Sequence, residues 1–145
     1  MAEQLTATVK LKNQKIQFSG KVGSNPEITI DYVPPLGDGA GYLPLELLLI
    51  SLASCSGSTV ATFLRRLKKT VSGMTVSALG ERRDEHPTSF KKIVLEFVVT
   101  SPDAGEEDMK KAIQLSADSF CPVWAMLKNS VEIIPEFKIT GSKGD

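Results

Sequence analysis

The stretch Pro44-Leu45-Glu46-Leu47-Leu48-Leu49-Ile50-Ser51-Leu52-Ala53-Ser54-Cys55-Ser56-Gly57-Ser58-Thr59 decides how this chain folds. Pro44 suits the first turn of a helix, where its missing N–H costs nothing. From there to Lys69 the residues read as one long helix. Its first half is apolar on nearly every face, which marks a buried helix. Glu46 in the first turn and Arg65, Arg66, Lys68 and Lys69 in the last turns match the two ends of the helix dipole. The small residues around Cys55 let another backbone or a small substrate come close. Gly57 costs a helix interior up to about 1 kcal/mol against alanine, which points to a packing or access role.

Outward from this helix the pattern changes to alternation. Leu5, Ala7, Val9 and Leu11 predict a half-buried strand, continued by Ile16 and Phe18 after a turn near Asn13-Gln14. Gly23-Ser24-Asn25-Pro26 is a turn signal, and Ile28 and Ile30 a third short strand. Residues 33–41, VPPLGDGAG, predict an irregular connecting loop. Beyond Gly73, Met74, Val76 and Ala78 alternate again. Asp84-Glu85-His86-Pro87 reads as a hairpin turn, and Ile93, Leu95, Phe97 and Val99 form a clear strand. Glu106 to Phe120 predicts an amphipathic helix, Pro122 to Lys128 a short one, and Val131, Ile133 and Phe137 to Ile139 a last strand. The order predicts an α+β fold, a mostly antiparallel sheet packed on a long central buried helix, in a single domain over residues 1–145.

Composition narrows the function. The chain has 145 residues, with 17 basic and 17 acidic side chains. Zero net charge argues against a general nucleic-acid or anionic-membrane binder. The polar start, Met1-Ala2-Glu3-Gln4, lacks the features of a signal peptide. The apolar run Leu43 to Ala53 is interrupted and too short to span a bilayer. These features predict a cytoplasmic protein with no membrane partner, where thiols are kept reduced and a structural disulfide is not expected.

Several chemistries lack their residues. His86 is the single histidine and sits in a turn, so a zinc site lacks ligands and a serine triad lacks its base. No phosphate-binding loop or dinucleotide fingerprint occurs, and no cofactor is expected. Cys55 and Cys121 remain. Cys55 lies inside the long helix, where a free cysteine is often an inert core residue. Cys121 sits just before Pro122, where a short helix should begin and its dipole favours a thiolate. Arg65 and Arg66 lie roughly 15 Å beyond Cys55 along the same helix, too far to assist it.

Leu43-Pro44-Leu45-Glu46-Leu47 through Ser54-Cys55 resembles the proline–glutamate–leucine helix motif of the OsmC/Ohr family. Phe120-Cys121-Pro122-Val123, followed by Asn129-Ser130-Val131-Glu132-Ile133, resembles its second-cysteine motif. The resemblance runs from the Asp31 strand to the last strand and implies an intertwined homodimer. It further implies thiol-dependent reduction of organic hydroperoxides or hydrogen peroxide in oxidative-stress defence. By position Cys55 matches the peroxidatic cysteine, which would become a sulfenic acid. Cys121 matches the resolving cysteine, which would condense with it to a disulfide. An external dithiol, such as a dihydrolipoyl protein, would then reduce that disulfide. Two departures stand out. No arginine precedes Arg65, so Lys21 in Gly20-Lys21-Val22 becomes the candidate activating cation, without the planar fork of arginine. The residue after the motif proline is Leu45, and the supporting carboxylate would be Glu46, about 100° further round the helix. The alternatives are a thiol–disulfide redox protein or sensor without peroxidase activity, and a non-catalytic member that binds a small ligand.

Overall fold

The computed structural model describes residues 3–141; Met1 and Ala2, at the polar start, lie outside the described residues. The chain forms two compact units, one up to Leu48 and one from Leu49 onward.

The first unit carries β1 (Thr8–Leu11), β2 (Phe18–Lys21) and β3 (Ile28–Ile30). They form an antiparallel sheet in sequence order, with Val9 opposite Gly20 and Phe18 opposite Ile30. β1 departs from the expected half-buried strand. It is four residues long and exposed throughout, and Leu5, at 84% exposure, lies before it. The alternation is real, but the described residues supply nothing to cover the apolar face of this edge strand. The loop after β3 is irregular, as expected, and it is organised by one buried carboxylate. Asp31 accepts the backbone N–H groups of Tyr32 at 2.8 Å and of Asp38 and Ala40 at 3.1 Å each. Burial pushes this carboxyl upward, but the three N–H bonds and the Lys15 charge outweigh it and hold it below the usual carboxylate range. Gly37 lies against the Tyr32 backbone and the Asp31 carboxylate, leaving no room for a Cβ. Lys15 ties the loop to the β1–β2 turn through Asp38, at 2.6 Å.

The long helix, α1 (Pro44–Arg66), starts in the first unit, and most of its length lies in the second. At its start Glu46 Oε1 accepts the Leu43 backbone N–H at 2.8 Å, satisfying one of the orphan donors of a helix end. Leu52, Ser56, Val60 and Leu64, spaced by four, are fully buried, with Gly57 beside them. The expected burial on nearly every face is not seen within the chain: the described residues bury this one stripe, and Ile50 is 49% exposed. The helix ends at Arg66 rather than Lys69. Lys68 turns into the left-handed region at φ 66°. Lys69 N–H then bonds Leu64 O and Lys68 N–H bonds Arg65 O, each at 3.0 Å. That is a Schellman stop, with lysine where glycine is usual, so no glycine announced it. By length and composition α1 would also suit a bilayer; its buried stripe reads it instead as a core helix.

In the second unit β4 (Gly73–Arg82) pairs antiparallel with β5 (Phe90–Thr100), and β5 pairs parallel with β6 (Glu132–Thr140). The sheet is therefore mixed. Ile93, Leu95, Phe97 and Val99 are all fully buried on one face of β5, as their alternation predicts. Val76 lies opposite Phe97 on β4, and Phe137 lies opposite Phe97 on β6. β6 runs unbroken through Pro135, which an edge strand tolerates. The parallel crossover from β5 to β6 holds α2 (Glu106–Leu115) and α3 (Pro122–Leu127). The single helix expected from Glu106 to Phe120 is divided: residues Ser116–Phe120 form a π-helical turn. Hydrophobic periodicity near 3.6 does not reveal such a local widening.

Candidate functional site

Gly57 lets α1 lie close to β4. A Cβ at this position would come within 2.9 Å of Val76 Cγ2. Cys55 and Ser56 sit one turn or less before that contact, at adjacent positions about 100° apart on the helix. Ser56 is buried and Cys55 half-buried.

Cys121 arrives from the crossover. The π-helical turn closes with Cys121 N–H on Ser116 O at 3.0 Å. Cys121 then takes an extended conformation, φ −94° and ψ 105°, and caps α3. Its sulfur accepts the Trp124 N–H at 3.4 Å and stands 3.5 Å from Ser56 Oγ. It is 2% exposed.

The two cysteines, 66 positions apart in sequence, come close enough for the Cys121 thiol to act on that of Cys55. Burial pushes the Cys55 thiol above its ordinary range, and the adjoining Cys121 thiol pushes it further. The Val123 backbone N–H, in the first turn of α3, pulls the other way. Among the described residues no cationic side chain is one of the groups that shift it. Cys55 is thus the more accessible sulfur and Cys121 the enclosed one. Both are free thiols. Two such thiols can form a disulfide reversibly, with the exposed one open to an oxidant or a reductant.

The remaining predicted site residues belong to the first unit. Glu46 holds the start of α1 through Leu43, and Lys21 ends β2 opposite Thr8. Sequence reasoning missed three features of the site. One is Ser56, which meets Cys121 from 65 residues away. Another is the Val123 N–H. The third is a cleft of ≈ 250 Å³ lined by Ser58, Thr59, Thr62, Phe63 and Arg66 of α1 with Leu115 and Phe120. The positions 59, 62 and 66 were a legible signal for it, since that spacing places them along one helix face.

The family described as "OsmC-like protein" matches residues 37–136. Protein YhfA of Escherichia coli K12 is 31% identical over 127 residues, 88% of this chain and 92% of its own length. The chain belongs to the OsmC-like family. The fold of this OsmC-like protein is shared with a hypothetical protein from Aquifex aeolicus VF5, with a TM-score of 0.86 and 28% identity over 98% of this chain and 100% of that one. It is also shared with an organic hydroperoxide resistance protein from Elizabethkingia anophelis, at TM-score 0.70 and 16% identity, covering 98% and 99% of the two chains.

Proposed function

We propose that this OsmC-like protein is a cytoplasmic thiol peroxidase that reduces organic hydroperoxides or hydrogen peroxide. The observation that carries this reading is the facing pair, with Cys55 accessible and Cys121 enclosed beside it. Cys55 thiolate attacks the terminal peroxide oxygen, the O–O bond breaks, and an alcohol or water leaves. The resulting sulfenic acid meets Cys121, which displaces its oxygen as water and forms the disulfide. A dithiol, such as a dihydrolipoyl protein, returns both cysteines to thiols. The cleft with Phe63, Leu115 and Phe120 offers apolar surface for an organic group.

The working form in this proposal is a homodimer. An apolar groove of ≈ 750 Å³ in the first unit, with Val9, Phe18, Ile30, Tyr32, Leu36 and Leu47 on its walls, supports it. The exposed faces of α1 support it too. Lys21 is the candidate cation for the Cys55 thiolate, and Glu46 the carboxylate that fixes the motif helix. A second reading, thiol–disulfide exchange without peroxide chemistry, is favoured by the groups that shift the Cys55 thiol, among which the described residues include no cationic side chain to polarise a peroxide.

Trapping separates the two readings. Cys121→Ser protein treated with cumene hydroperoxide and dimedone gains one dimedone adduct, on Cys55, if the peroxidase reading holds. An adduct formed no faster than on an ordinary free thiol leaves thiol–disulfide exchange.

A further inference from the structure

Serine and threonine hydroxyls inside a helix usually turn back to carbonyls of the preceding turn. Along α1 three of the six do so. Ser54 Oγ bonds Ser51 O, Ser58 Oγ bonds Ser54 O, and Thr59 Oγ1 bonds Cys55 O. Ser56 does not. Its hydroxyl is fully buried and meets the sulfur of Cys121 at 3.5 Å, on a different element.

We propose that Ser56 is the positioning residue of the resolving cysteine: its hydroxyl holds Cys121 facing Cys55 and donates to the Cys121 thiolate. This rests on the reading of Cys55 and Cys121 as a redox pair. In the thiol state either atom can be the donor. Once Cys121 is a thiolate, only the Ser56 O–H can be. A buried anion needs donors, because water cannot reach it. At 2% exposure Cys121 finds, among the described residues, the Trp124 N–H and the Ser56 O–H beside the Cys55 thiol. Hydrogen bonds to an ionised acceptor are stronger than neutral ones.

The bond acts in both halves of the cycle. When Cys121 thiolate attacks the Cys55 sulfenic sulfur, the S–S bond forms and the oxygen leaves as water. Holding the thiolate in line aids that step. When an external dithiol reduces the disulfide, its thiolate attacks the accessible Cys55 sulfur. The S–S bond breaks, and the electron pair leaves on Cys121. Ser56 then donates to the leaving thiolate, which departs faster the better it is stabilised. The dithiol's second sulfur attacks the mixed disulfide and releases Cys55 as thiolate, with the dithiol now oxidised.

The test uses the resting protein and no peroxide. In Cys55→Ala, Cys121 is the remaining thiol, and its thiolate is read by ultraviolet absorbance. At the pH where half of it is ionised, adding Ser56→Ala should leave about a tenth, the loss expected for one hydrogen bond to a charge. Ser56→Thr, which keeps the hydroxyl, should restore it. In the protein with both cysteines, a disulfide made with diamide should be reduced by dithiothreitol several times more slowly in Ser56→Ala than in wild type or Ser56→Thr. Thermal unfolding identifies any variant that fails to fold. An unchanged thiolate fraction in folded Ser56→Ala overturns the proposal. Loss of thiolate in a protein that also proves unreactive to hydroperoxides upholds Ser56 and overturns only the peroxidase reading.

Discussion

At Cys55 the environment works against ionisation. Burial and the Cys121 thiol both raise it, and the Val123 N–H opposes them. The sign of the consequence follows. A raised thiol is mostly protonated at neutral pH, so alkylation of Cys55 by iodoacetamide should climb about tenfold per pH unit from neutral upward. Removing the neighbour should lower it: Cys121→Ala should alkylate faster than wild type at neutral pH. Equal rates would mean that Cys121 does not act on Cys55. The two cysteines were legible in the sequence because each sits in a motif. Their different states were not. Helix-dipole reasoning singles out Cys121 as the thiol that ionises more readily, while motif matching singles out Cys55 as the first attacker. The fold adds that Cys121 is enclosed and bonded, and Cys55 more open. Ser56 was illegible for a simpler reason: nothing in a serine-rich helix shows which hydroxyl turns toward a partner 65 residues away.

Elements were legible wherever hydrophobic residues repeat. Met74, Val76 and Ala78 and the odd residues of β5 alternate, and the strands lie where they should. Ends and irregularities were hidden. Lys68 carries the left-handed stop of α1 without a glycine. Lys68→Gly should therefore stabilise the protein by about 0.5–1 kcal/mol, measured by urea unfolding; a loss of stability would mean that Lys68 makes compensating contacts. Gly57 shows the opposite balance. Gly57→Ala gains helix propensity but drives a methyl to within 2.9 Å of Val76 Cγ2. It should cost about 1 kcal/mol net. In a Val76→Ala background the same substitution should be neutral or stabilising. A cost that persists there would place the constraint elsewhere.

For the whole molecule, the sequence gives more apolar surface than one chain covers. The reading of α1 as buried on nearly every face holds for one stripe, and β1 is exposed where alternation called for a covered face. In the proposed homodimer both discrepancies have one physical reading: the missing cover comes from a second copy. Light scattering on the purified protein should give twice the chain mass, and Leu36→Glu, in the apolar groove, should weaken the dimer. A monomer at micromolar concentration would contradict it. The central claim is that Cys55 attacks peroxide and Cys121 resolves the product. The direct measurement is stopped-flow mixing of the reduced protein with cumene hydroperoxide, followed by Trp124 fluorescence, since its backbone N–H bonds the Cys121 sulfur. The account predicts oxidation far faster than that of a free thiol, ending in a Cys55–Cys121 disulfide and lost in Cys55→Ser. Oxidation no faster than that of an ordinary cysteine, or a disulfide that never forms, would contradict it.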